Sequence, residues 1–152
     1  MAKWKLVNAE NVEPYVFDEA YSSKILTGDE MAGFPVININ EGTLKAGMKN
    51  PGSSGAGEAH EDTEIYYIID SDDADVVLDD TPVSVKPGDI IVIPGGVRHF
   101  IDNTRSTKDF KLFTFWSKQE QNGAFYKRLK AWGTSVKNKD PDYVEKRIKG
   151  KK

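Results

Sequence analysis

Short segments in which apolar and polar residues alternate occupy the middle of the chain. Residues 36–40 alternate with a period of two, and the alternation resumes over residues 43–48 after Gly42. Because the side chains of a β-strand point alternately to its two faces, this pattern predicts strands with one buried face. The β-branched and aromatic residues of segment 64–69 predict another strand. Residues 99–103 and 111–116 complete the series.

Turn residues separate the predicted strands. Residues 76–78 and 83–85 predict two short strands joined by a tight turn at Asp79 and Asp80. The continuous apolar run 90–93 predicts a strand that is buried on both faces. Many short strands punctuated by glycine and proline indicate an all-β sandwich or barrel.

The two ends of the chain lack this alternation. Phe125, Leu129 and Trp132 recur at three- and four-residue steps, which predicts a short amphipathic C-terminal helix. We therefore expect one domain over residues 1–152. Its expected parts are an N-terminal arm at 1–35, a barrel at about 36–116, and a C-terminal helix with a basic tail at 117–152.

Composition narrows the class of protein. The chain has 152 residues, enough for one domain with a core, and its formal net charge of −3 argues against a nucleic-acid binder. No apolar run approaches the ~20 residues that span a membrane. The first residues lack the apolar segment of a secretory signal, so we expect a cytoplasmic protein. The absence of cysteine excludes thiolate metal ligands and a cysteine nucleophile.

Both histidines of the chain lie in segments that can bind a metal. If the first segment is extended, Glu58, His60, Asp62 and Glu64 project from one face, and Tyr66 and Ile68 continue that face. In the second segment, His99, Ile101 and Asn103 share a face, and Pro94-Gly95-Gly96 turns the chain just before them. A barrel that brings the two segments together would gather two imidazoles and two carboxylates. Such a mixed site suits the divalent transition metals Mn, Fe, Co, Ni or Zn.

The same two segments resemble the paired motifs of the cupin superfamily. The second motif, Gly-x5-Pro-x-Gly-x2-His-x3-Asn, is met at every defined position, namely Gly88, Pro94, Gly96, His99 and Asn103. The first motif, Gly-x5-His-x-His-x3,4-Glu-x6-Gly, is met at Gly52, His60 and Glu64. It departs at Glu58, which replaces the first histidine, and at Ser71, which replaces the closing glycine. The resemblance implies a double-stranded β-helix (jelly-roll) barrel that holds a metal through Glu58, His60, Glu64 and His99.

Glu58 leaves three alternatives open. It may be read as a carboxylate ligand that makes the site more anionic, or as a general base beside a site with three ligands. The third alternative is a barrel that has lost its metal. Because His60, Glu64 and His99 are all kept, we favour a retained metal, and because Glu58 has the same facing as His60 in an extended strand, we favour a ligand.

These residues lead to a functional hypothesis. We expect a metal-dependent enzyme that acts on a small polar metabolite by lyase or isomerase chemistry, with Glu58, Glu64 or Tyr66 moving the proton. The alternatives are an iron-dependent dioxygenase and a non-catalytic small-molecule-binding barrel. The aromatic residues outside the barrel predict a homodimer. They are Trp4, Tyr15, Phe17, Phe125 and Trp132.

Overall fold

The computed structural model describes residues 6, 8–16, 18–27, 38–52 and 54–116, and these residues form an all-β structure. Within these described residues, a 3-10 turn at Ala9–Asn11 is followed by nine strands. The strands are β1 (Tyr15–Val16), β2 (Tyr21–Thr27), β3 (Asn38–Leu44), β4 (Glu64–Asp70), β5 (Ala74–Leu78), β6 (Thr81–Val85), β7 (Ile90–Ile93), β8 (His99–Asp102) and β9 (Phe110–Trp116). The predicted all-β class is confirmed.

The strands form two antiparallel sheets. The larger has the order β1-β2-β3-β9-β4-β7, and the smaller has the order β6-β5-β8. Apolar residues of both sheets meet in one core, in which Ile68 and Leu112 of the larger sheet and Val76 and Ile101 of the smaller sheet are almost fully buried. One face of each sheet therefore lies in a shared interior.

The larger sheet begins earlier in the chain than the predicted barrel. β2 pairs along β3, with Tyr21 opposite Leu44 and Ile25 opposite Asn40. The segment expected to be an N-terminal arm thus contributes β1 and β2 to the sheet. The weak pattern of residues 1–30 predicted a strand or two and a loop, and β1 and β2 agree with that prediction. Their place in the larger sheet was not predicted, because a strand's own sequence does not show which strand it pairs with.

β7 corrects a second expectation. The run Ile90–Ile93 was expected to be buried on both faces, and this prediction is wrong, since Ile90 is 63% and Val92 58% exposed. Within the described part of the chain, β7 lies at the edge of the larger sheet, and its pairing partner there is β4. Ile93 and Ile91 face inwards and Ile90 and Val92 face outwards, so an apolar run here marks a strand with an apolar outer face.

The hydrogen bonds of Asn103 explain why the second motif ends in an asparagine. Its side chain is fully buried, and Nδ2 donates to the carbonyl oxygens of Leu44, Lys45 and Lys108 at 3.4, 3.2 and 3.0 Å. The amide therefore ties the end of β3 to the loop between β8 and β9. This contact holds the two sheets in a fixed relation beneath the site.

Several expectations fall on residues outside the described ranges. They include the C-terminal helix and tail and four of the five aromatic residues on which the homodimer prediction rests, whereas Tyr15 lies in β1. The homodimer and the cytoplasmic location stay predictions. Within the described ranges, no helix has the length and apolarity needed to cross a membrane.

Candidate metal centre

Three side chains from the two predicted segments meet at one buried point. Oε2 of Glu64 lies 3.1 Å from Nε2 of His60 and 3.0 Å from Nε2 of His99. The side chains of His60, Glu64 and His99 are 4%, 3% and 2% exposed. One ligand atom of each lies within 4.8 Å of the others. The sequence prediction that these residues converge is borne out by their positions.

Backbone contacts orient both imidazole rings. Nδ1 of His60 lies 2.8 Å from the carbonyl oxygen of Asp62, and Nδ1 of His99 lies 2.9 Å from that of Val97. A carbonyl oxygen only accepts, so each Nδ1 must carry the hydrogen and donate it. In the neutral ring, Nε2 then carries the lone pair, and the Nε2 atoms of both rings lie 3.0–3.1 Å from Oε2 of Glu64.

A divalent cation fits this arrangement of donors. Two imidazole lone pairs and a carboxylate oxygen would face one another without a proton between them, which is unfavourable in a buried site. A bound cation turns all three into ligands, and the backbone carbonyls hold the rings as outer partners commonly do in metal sites. Two nitrogen ligands and one oxygen ligand suit Mn, Fe, Co, Ni or Zn better than Ca or Mg.

Backbone pairing brings the two ligand-bearing segments together. The amide of Gly96 donates to the carbonyl oxygen of His60 at 2.8 Å, and the amide of His99 donates to that of Glu58 at 3.1 Å. Gly95 makes this approach possible, because a Cβ at that position would lie 2.0 Å from the carbonyl oxygen of Glu61. Gly57 also allows a close approach. Its φ is +85°, and an added Cβ would lie only 2.8 Å from the carbonyl oxygen of His99.

Glu58 lies beside this group without belonging to it. Its backbone forms an isolated β-bridge with His99, which places it at the edge of the site. The residue is exposed, and its side chain runs along Gly52, where an added Cβ would lie 2.9 Å from Oε1. Among the described residues, the group that could hold a metal contains His60, Glu64 and His99 but not Glu58. The role of Glu58 as a fourth ligand stays a prediction.

Tyr66 lies on the inner face of β4, two residues after Glu64. It is 7% exposed, and its ring contacts the His99 ring edge-on at a centroid distance of 5.9 Å. The predicted shared face of Glu64, Tyr66 and Ile68 is confirmed, since all three are buried. The phenol is therefore close to the metal-binding group but is not one of its ligands.

Comparison with known proteins identifies the family. The family model of the cupin domain matches residues 49–116, the range that contains both motifs and all three converging side chains. Residues 49–116 therefore carry a cupin domain. A comparison with the curated proteins found no match.

Solved structures share the cupin fold of this chain at low sequence identity. KdgF from Halomonas sp. is 16% identical with a TM-score of 0.61, over 78% of this chain and 98% of that one. The polyketide cyclase RemF from Streptomyces resistomycificus is 18% identical with a TM-score of 0.63, over 76% of this chain and 80% of that one. A sugar phosphate isomerase from Silicibacter pomeroyi is 16% identical with a TM-score of 0.58, over 76% of each chain. These likenesses confirm the double-stranded β-helix fold, and fold alone does not fix a reaction.

Three residues beside the site were not predicted from the sequence to contribute to it. Gly95 occupies a position that the second motif leaves open, so no motif position marks it. Asn40 and Thr114 lie on the inner face beside Tyr66, and their inward facing depends on the pairing of β3 with β9 and of β9 with β4. The period-two pattern of residues 36–40 placed Asn40 on the polar face of its strand, which indicated solvent rather than the barrel interior.

Proposed function

We propose that this cupin is a metal-dependent enzyme that acts on a small polar metabolite by proton-transfer chemistry of the lyase or isomerase type. The convergence of His60, Glu64 and His99 through their lone pairs supports this proposal most directly. A divalent ion held there would polarise a carbonyl or carboxylate of the substrate and acidify the adjacent C–H bond. The chain must then supply one group that accepts this proton and one that returns it.

We assign proton acceptance to Glu58. The β-bridge fixes its backbone next to His99, and its exposed carboxylate is accessible from the solvent side of the site. Glu64 is less suited to this role, because its carboxylate is buried between two imidazoles. A carboxylate at the edge of a metal site is a common general base.

Tyr66 is the group that we assign to return the proton. A phenol both donates and accepts hydrogen bonds, and Tyr66 is the buried tyrosine whose ring contacts His99. Glu58 and Tyr66 border the metal group from the exposed edge and from the interior, respectively. A substrate bound between them would meet a proton acceptor and a proton donor on different sides, as an isomerisation or elimination requires.

The donor set itself favours a second candidate function. Two histidines and one carboxylate form the ligand set of many non-haem iron oxygenases. An iron-dependent dioxygenase would use the same His60, Glu64 and His99 but would have no need for Glu58 as a base. The two candidates therefore differ in the metal that they need, in oxygen consumption and in the effect of changing Glu58.

The decisive experiment measures proton exchange and oxygen uptake on the same preparations. The purified protein is analysed for bound metal, reconstituted separately with Mn, Fe, Co, Ni and Zn, and incubated in D2O with small 2-hydroxy and 2-oxo acids. We expect metal-dependent incorporation of deuterium next to the carbonyl or carboxylate, measured by NMR. Oxygen uptake that needs Fe(II), without such exchange, would instead establish the dioxygenase. Neither activity in any metal-loaded form would leave a non-catalytic binding barrel.

The variant Glu58→Gln tests the assignment of the base. We expect it to keep its metal and to lose exchange by about 10²–10⁴-fold, the usual contribution of one acid–base group. Glu61→Gln is the matched control, because Glu61 is an exposed glutamate in the same loop. Loss of metal from Glu58→Gln would show that Glu58 is a ligand and would overturn its role as base.

A further inference from the structure

A row of buried polar side chains crosses the inner face of the larger sheet below the metal group. Asn40 of β3 is directly opposite Thr114 of β9, which is directly opposite Tyr66 of β4. Asn40 and Thr114 are each 4% exposed and Tyr66 is 7% exposed. The next row away from the site is mainly apolar on β4 and β9, where Ile68 and Leu112 lie, and it continues through Gly42 to Ser23 of β2. The polar row therefore separates the site from the apolar core.

The amide of Asn40 is only half satisfied. Its Nδ2 donates to Oγ1 of Thr114 at 3.3 Å, whereas its buried Oδ1 has no hydrogen-bond partner in the described part of the chain. A buried polar atom without a partner costs about 1–3 kcal/mol. Leucine in place of Asn40 would avoid this cost and match the apolar row beneath it. The amide is therefore better explained by something that it binds than by packing.

The chemistry of the amide defines the group that it would bind. With the orientation above, the remaining atom is an acceptor, and if the amide is rotated by 180° it is a donor. A hydroxyl group satisfies both cases, because it donates one hydrogen bond and accepts others. A carboxylate would satisfy only the second. The group that fits Asn40 is thus a hydroxyl of a bound molecule.

The spacing of the sheet sets the size of that molecule. Asn40 lies two strands away from Glu64 and one side-chain layer lower, a Cα separation of roughly 12 Å at about 4.8 Å per strand and 3.4 Å per residue. Both side chains project inwards, so a molecule that contacts the metal group and the amide at once must bridge about this distance, roughly the reach of a six-carbon chain with its polar end groups. One end of the chain would reach the metal group and the other would reach the amide.

From this row we infer that the interior of the barrel binds a polyhydroxylated acid of about six carbons, whose distal hydroxyl is recognised by Asn40 with Thr114 holding the amide in place. The inference deepens the proposed function and rests on it, because the acidic end of the ligand is bound at the metal group. Asn40 is on this view a residue that determines specificity and takes no part in proton transfer.

Two acids with the same metal-binding end test this inference. D-gluconate and 2-hydroxyhexanoate both carry a carboxylate with a neighbouring hydroxyl, but only gluconate has hydroxyls further along the chain. Their affinities for the metal-loaded full-length protein are measured by isothermal titration calorimetry. We expect gluconate to bind at least about tenfold more tightly, the effect of one buried hydrogen bond.

Variants of Asn40 then test whether this residue causes the preference for gluconate. In Asn40→Leu the ratio of the two affinities should fall to about one or below, while the melting temperature stays the same or rises. Asn40→Ala provides the same comparison if leucine prevents folding. Ser23→Ala is the matched control, because Ser23 is a buried polar residue of the same sheet that pairs with Gly42, one row further from the site. Its ratio should equal that of the unchanged protein.

The outcomes separate the two proposals. Equal affinities of the unchanged protein for both acids, or a gluconate preference that survives Asn40→Leu and Asn40→Ala, would overturn the role of Asn40 and leave the metal site and its proton chemistry intact. No binding of either acid to any metal-loaded form would overturn this inference together with the assignment of small acids as substrates. A preference that disappears only in the Asn40 variants supports the inference.

Discussion

Gly95 sets the distance between the two metal-binding segments, and Gly95→Ala should therefore damage both stability and metal binding. The new Cβ would lie 2.0 Å from the carbonyl oxygen of Glu61, whereas ordinary contacts begin at 3.4 Å. The two backbones must separate by about 1.4 Å to relieve this contact, since backbone atoms cannot move aside as a flexible side chain can. The 2.8 Å hydrogen bond from Gly96 to His60 would then be broken.

The magnitude follows from these two effects. A lost backbone hydrogen bond costs about 1 kcal/mol, and overpacking costs about 1–3 kcal/mol. The sum of about 2–4 kcal/mol corresponds to a melting temperature lower by about 4–16 °C for a domain of this size. A movement of His60 by about 1 Å also exceeds the ~0.2 Å tolerance of a metal site, so metal affinity should fall at least about tenfold.

Thermal unfolding followed by circular dichroism and a metal titration of the same samples measure both effects. Gly88→Ala is the control, because Gly88 has a φ of +93° but an added Cβ would meet nothing within 4 Å. It should lose about 1–2 kcal/mol through backbone conformation and keep its metal affinity. A Gly95→Ala protein with unchanged melting temperature and metal affinity would refute the argument that this contact sets the geometry of the site.

Two further predictions concern the site and the loop beside it. His99→Ala should lose the bound metal, measured by elemental analysis, yet keep the circular dichroism spectrum of the fold, because His99 is not part of the apolar core; full metal occupancy would contradict the assignment. Burial tends to raise the pKa of Asp102, but hydrogen bonds from the amide and hydroxyl of Thr104 outweigh it, so the pKa is lowered from 3.8. Because the pKa of Asp102 is lower in the folded protein than in the unfolded chain, the ionised carboxylate stabilises the fold at a pH above the ordinary pKa. This stabilisation is lost as the pH falls through the pKa of the folded protein. Thr104→Ala should therefore be less stable than the unchanged protein in urea at pH 7 and equally stable at about pH 2; the same difference at both would contradict this reasoning.

The sequence contained enough to predict the fold and the convergence of His60, Glu64 and His99. His60, Glu64 and His99 are the polar positions of two recognisable motifs, and local spacing decides which of their neighbours share a face. Facing alone explains why Ile101 and Asn103 are buried with His99. The position of the Glu58 side chain could not be predicted from spacing. Gly57 next to it has a positive φ, and residues 58–63 precede β4 and are not part of that strand.

The features that depend on strand order could not be predicted in the same way. β7 has the composition of a central strand, but among the described strands it lies at the edge of the sheet, next to β4. Asn40 lies on the polar face of an alternating segment, which is typical of a residue that faces water. However, β3 lies between β2 and β9, and the face of β3 that carries Asn40 is turned to the interior. In both cases the sequence of the strand is compatible with either facing, and long-range pairing decides between them.

The replacement of the first motif histidine by Glu58 is compatible with a retained metal, because the backbone of residue 58 is held by its pairing with His99. The position of residue 58 is fixed by its β-bridge to His99 and does not depend on which side chain it carries. A change from imidazole to carboxylate therefore alters the chemistry at the edge of the site without moving His60, Glu64 or His99. The two glutamates then lie in opposite environments, one buried between imidazoles and one exposed. Carboxylates separated in this way are suited to different tasks, which agrees with our proposal that Glu64 would bind the ion and Glu58 would exchange protons with the substrate.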